Sequence, residues 1–143
     1  MSDFVIINDD EVHFKSNFSG AIIIPEIGYI TGTGTATFQN QKLCILDDAK
    51  EVAVPNVTYI APPRYMIPGK CTLKIDQLSD SQKAKHTHTK GGKLVILKGS
   101  DFKAKFEVNV PAKDPNNGQT DSKTTYDNGA GSFNTNNTKF KGT

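Results

Sequence analysis

At 143 residues, with 17 Lys and Arg against 15 Asp and Glu, the chain suits one domain, and its net charge of +2 gives no strong electrostatic case for nucleic acid or membrane as the main partner. No apolar run approaches the ~20 residues of a membrane-spanning helix. The start, MSDFVIINDD, lacks the basic and long apolar regions of a secretory signal, so synthesis in the cytoplasm and any export by another route are expected.

In chain order, short β-branched runs separated by Gly, Pro, Asn and Asp predict strands at Phe4–Ile7, Val12–Lys15, Ala21–Ile24, Thr35–Phe38, Lys42–Leu46, Glu51–Val54, Val57–Ile60 and Cys71–Ile75. The only helical candidate, Ile75–Lys85, is interrupted by Ser79 and Ser81 and fits a single turn or a polar loop equally well. Two further strands follow, Lys93–Lys98 and Phe102–Val110. The second reads FKAKFEVNV, with Lys103, Lys105, Glu107 and Asn109 on one face and apolar residues on the other. The fold class is therefore all-β, a small body of short strands spanning residues 1–110. Beyond it, residues 111–143 contain no Val, Ile, Leu or Met, which predicts a low-complexity tail, disordered unless a partner binds it. Its sizeable apolar groups are Tyr126, Phe133 and Phe140, spaced seven apart, and they fit either a solvated tail or three aromatic anchors.

No catalytic motif stands out. Gly32 and Gly34 in GTGTAT lack the third glycine, the GK[ST] and the helix of a phosphate loop, and no GxSxG elbow is present. The pairs Asp9-Asp10 and Asp47-Asp48 fall at strand ends, where aspartate bonds the local backbone. The chain is not expected to be an enzyme. His86-Thr87-His88 is the strongest site pattern, because alternate residues of a strand share a face and two imidazoles there could chelate one metal. Zinc would need further ligands, with Cys71, Cys44 and His13 as candidates. The competing reading is a solvated basic hairpin loop, KAKHTHTKGGK. Without a signal peptide, Cys44 and Cys71 are expected to be reduced, half-buried thiols.

The order of parts from Gly28 to Ile75 resembles the PAAR-like tips of contractile injection systems, such as type VI secretion and phage-tail-like particles. A glycine-rich run enters a strand and an aspartate turn, GTGTATFQNQKLCILDD. A valine-proline break, VAVPNVTYIAPPRYMIPG, and a cysteine-bearing strand, KCTLKI, come next, and GGKLVILKGSDF resembles the closing segment. Ala61-Pro62-Pro63-Arg64 is the nearest string to the Pro-Ala-Ala-Arg motif and differs in order. The resemblance implies a small conical β-prism at the baseplate that caps a trimeric β-helical spike, one tip per trimer, and helps puncture the target membrane. It implies transient membrane contact, a cargo or effector as a further partner, and assembly in a bacterial particle delivered outside the cell. It also implies zinc held by His86, His88 and Cys71, with Cys44 or His13 completing the set. Val5-Ile6-Ile7 and Ala21–Ile24 are the candidate base strands, against the plainer reading of core strands. The alternative function is a stand-alone β-sandwich or barrel that binds a ligand.

Overall fold

The structure is a computed structural model that describes residues 2–143. It is all-β. The strands are β1 (Asp3–Phe4), β2 (Glu11–Phe14), β3 (Asn17–Phe18), β4 (Ala21–Ile23), β5 (Gly28–Tyr29), β6 (Thr37–Phe38), β7 (Gln41–Lys42), β8 (Ala53–Ala61), β9 (Tyr65–Gln77), β10 (Lys83–Thr89), β11 (Lys93–Ile96), β12 (Phe102–Val110), β13 (Thr125–Asn134) and β14 (Lys141–Gly142). Two 3-10 turns, Leu46–Glu51 and Asp80–Gln82, lie between them.

Eight strands form one antiparallel sheet in the order β3-β4-β8-β9-β12-β13-β2-β5. The sheet curls back on itself. After β2 the chain stays beside β13, where the Lys15 N–H donates to the Ala130 carbonyl at 2.8 Å and Ser19 Oγ donates to the Asp127 carbonyl at 3.0 Å. It then pairs with β4 through β3. Alternation sends one side of each strand inward: Phe102, Ala104 and Phe106 of β12, Cys71, Leu73 and Ile75 of β9, and Val57, Tyr59 and Ala61 of β8 are all buried. Phe106 is the centre of the enclosed core, with ring centroids of Phe18, Tyr59 and Tyr126 at 5.1, 5.1 and 4.9 Å.

The remaining strands form three separate two-stranded ladders, β6–β7, β10–β11 and β1–β14. Each sits between two strands of the curled sheet. β6–β7 lies between β5 and β8, β10–β11 between β9 and β12, and β14–β1 between β13 and β2. Sheet strand, arm, sheet strand thus recurs three times, in a curled sheet that fits a small β-rich conical domain.

The structure alters several expectations. Residues 111–143 are not a separate tail, because β13 sits inside the sheet between β12 and β2, with Tyr126 and Phe133 buried. Glu51–Val54 and Val57–Ile60 merge into the single strand β8, whose register shifts between Val54 and Val57 around Pro55 and Asn56. The strand expected at Cys71–Ile75 is the middle of the 13-residue β9. Ile75–Lys85 forms no α-helix: it finishes β9, makes the Asp80–Gln82 turn and enters β10.

Candidate functional site

Three short apolar segments meet where the arms join the curled sheet. The Ile6 N–H donates to the Ile96 carbonyl, the Ile96 N–H to the Cys44 carbonyl, and the Cys44 N–H to the Ile6 carbonyl, each at 2.9 Å. The ring closes on itself. Isolated bridges Val5↔Leu97, Ile7↔Leu43 and Ile45↔Val95 flank it, so each segment pairs with both others. Three strands related in this way turn about one axis, giving a single chain an internal pseudo-threefold hub.

Strand alternation makes this hub a floor between two cores. Ile6, Cys44 and Ile96 point into the large core of the curled sheet. Val5, Ile7, Leu43, Val95 and Leu97 point the other way, into a small core that the arms close with Ala84, Phe38 and Phe140. The Phe38 and Phe140 rings stack at 5.5 Å between centroids.

A polar latch follows each hub segment three residues on. Asp10 accepts the Ile7 N–H at 2.8 Å and the Asn136 N–H at 3.1 Å. Asp48 accepts the Ile45 N–H at 2.9 Å, the Thr33 N–H at 3.0 Å and the Thr33 hydroxyl at 2.6 Å. In the third repeat Ser100 replaces aspartate, and its N–H donates to Ser81 Oγ at 2.9 Å. Asn136, Thr33 and Ser81 each precede an arm, so the latches tie the hub exits to the arm entries. Burial raises the Asp10 carboxyl above its ordinary value, opposed by the N–H donors of Ile7 and Asn136. The expectation that the aspartate pairs serve local turns holds for both latches.

The expected zinc ligands are not brought together. Cys44 belongs to the hub and Cys71 to the middle of β9, and both are fully buried with free thiols. Burial pushes the Cys71 thiol up to about 12 and the Cys44 thiol higher still, the protonated and poorly ligating form. His86 and His88 lie exposed on β10, and His13 on β2 is engaged by Glu11 at 2.8 Å. Among the described residues no group of three or more His, Cys, Asp or Glu is placed to hold a metal, so this donor set does not fit a four-coordinate zinc centre. Val5, Ile6 and Ile7 offer no docking surface, since all three are buried in the two cores. Ala21–Ile24 divides by alternation: Ala21 and Ile23 are buried, while Ile22 and Ile24 are exposed.

The fold and hub define an all-β body with internal threefold repetition. A family model for contractile injection system spike tip proteins matches residues 1–143, and the chain belongs to that family. No curated protein matches it.

Proposed function

We propose that the protein caps a trimeric β-helical spike as a single copy and helps its particle puncture the target membrane. The carrying observation is the closed Ile6–Cys44–Ile96 ring, because one chain with three quasi-equivalent repeats about an axis can meet three identical spike chains. The role is mechanical and needs no catalysis. Two cores stacked across one hydrogen-bonded floor, with latches at its exits, make a body that resists compression along that axis. Synthesis in the cytoplasm followed by delivery with the particle, with a cargo or effector as a further partner, completes the reading.

Native mass spectrometry of the protein co-expressed with the spike chain from its own source tests this. The expected mass is one copy on three spike chains. A free monomer beside an uncapped trimer would overturn the proposal.

A further inference from the structure

The two ends of the pseudo-threefold body differ in chemistry. On the arms, Lys85, Lys90, Lys93, Lys139 and Lys141 are all exposed. Neither residues 81–100 nor residues 128–143 contain an Asp or Glu. Among the described residues none of these five lysines is ion-paired, whereas Lys15, Lys74 and Lys105 on the curled sheet pair with Asp101, Glu107 and Asp76. Asp3 and Asp80 line a surface depression with Lys83 and Lys85, and Asp47 lines another with Lys93. The β10–β11 and β14–β1 arms make one continuous surface: the Thr143 carbonyl oxygen accepts the N–H groups of His86 and Thr87 at 2.7 and 2.8 Å, and the Thr143 N–H donates to Thr87 Oγ1 at 2.8 Å.

The opposite end carries the chain's single arginine, Arg64, bonded to Asp114 at 3.2 Å and to Gln119. Tyr65 adjoins it, and Met66, Ile67 and Val110 are exposed there. Protein interfaces are rich in Arg, Met and aromatic residues and poor in Lys. That composition describes the Arg64 end and not the arms. Lysine is a hydrated point charge that meets phosphates without the fixed fork of arginine, which suits a diffuse anionic layer.

We propose that the arm end binds anionic phospholipid headgroups through Lys85, Lys90, Lys93, Lys139 and Lys141, leaving the Arg64 end to face the spike. This deepens the spike-tip reading and rests on it for direction, but lipid binding is measured without the spike.

The test is cosedimentation of the full chain with vesicles of phosphatidylcholine alone or with about a third phosphatidylglycerol. Binding is expected only to the anionic vesicles and is expected to fall as salt rises. Each lysine near the surface is worth roughly fivefold, so the triple variant Lys90→Gln, Lys93→Gln, Lys141→Gln should bind on the order of a hundredfold more weakly. Removing three charges elsewhere, with Lys70→Gln, Lys103→Gln and Lys123→Gln, should leave binding nearly unchanged. No binding to anionic vesicles, or equal loss from the two triple variants, overturns the lipid surface. If the arm variant instead loses its one-to-three complex with the spike, the arms contact protein; the lipid proposal then fails and the spike-tip reading stands. A chain that binds anionic vesicles through its arms but never binds the spike leaves the lipid surface in place and removes the spike-tip reading.

Discussion

The Asp48 carboxylate accepts the backbone N–H of Ile45, three residues upstream, at 2.9 Å, and holds the exit of the hub in a tight turn. The same carboxylate takes both donors of Thr33, so it joins the hub to the strand entering the β6–β7 arm. Asp48→Ala would strand the buried-side donors that this carboxylate satisfies. Hydrogen bonds to a charged acceptor contribute about 1.5–3 kcal/mol each and are not additive, so a total loss of about 3 kcal/mol in a denaturant titration is expected. Asp48→Asn keeps one acceptor oxygen and should lose less. A loss below about 1 kcal/mol in the alanine variant would mean the latch contributes little.

The hub was present in the sequence as a repeat that its spacing conceals. Val5-Ile6-Ile7 leads to Asp10, Leu43-Cys44-Ile45 to Asp48, and Val95-Ile96-Leu97 to Ser100. Each is three apolar residues with a polar latch three positions after the last. Strand periodicity locates all three segments, and turn chemistry explains both aspartates. Neither indicates that the segments pair with one another, because the closing hydrogen bonds join residues 38, 52 and 90 positions apart. An unbroken apolar run reads as buried on both faces, which holds for Val5–Ile7, but here the two faces belong to different cores. The cysteines invited a metal reading from residue type alone, and burial gives them a packing role instead.

The thiols provide a direct check on that packing. With Cys71 pushed up to about 12 and Cys44 higher, both by burial, neither forms appreciable thiolate at neutral pH. In the native protein both should resist an aromatic disulfide reagent at pH 8, and both should react at once in denaturant. Rapid reaction of a thiol in the native state would show the hub or β9 to be open.

Alkaline pH should weaken the fold through the tyrosines around Asp121. The Tyr126 hydroxyl donates to the Asp121 carboxylate at 2.6 Å and the Tyr59 hydroxyl at 3.2 Å, while Tyr59 also accepts the Ala112 N–H at 2.9 Å. Burial raises the Tyr59 phenol from 10.0 to about 12, with Asp121 adding to the shift, and raises Tyr126 further. A raised folded-state value means the native state holds its proton while the unfolded chain has lost it. The stability is therefore complete below pH 10 and is lost as pH rises towards 12. Unfolding free energy should fall across that window, and the Tyr59→Phe variant should show a shallower fall. Tyrosinate absorbance in the native protein should appear later than in the denatured chain.

Close approach, more than backbone conformation, fixes the glycines of β9 and β13. A Cβ on Gly69 would collide with the Val110 carbonyl and with the Ala112 nitrogen, both of them backbone atoms that cannot rotate away. Gly69→Ala should therefore cost about 3 kcal/mol or more, at the upper end of overpacking effects. Thermal denaturation would check it, and a melting temperature unchanged from the parent would contradict the packing.

The same crowding explains why residues 111–143 resemble a disordered tail in sequence and form part of the sheet. A Cβ on Gly129 would overlap the Phe18 ring, and one on Gly131 would meet Phe102 and the His13 carbonyl. β13 lies flat beneath large aromatic side chains contributed by other strands, so it needs little apolar mass of its own. Its own contributions, Tyr126 and Phe133, fill the remaining space at 5% and 2% exposure. Phe140 stacks on Phe38 in the arm core. A chain ending at residue 110 would expose the edges of β12 and β2 and open the large core along its length. It should be recovered unfolded or aggregated, with loss of the near-ultraviolet circular dichroism of the aromatic cluster. A soluble, cooperatively melting fragment of residues 1–110 would show instead that the core closes without β13.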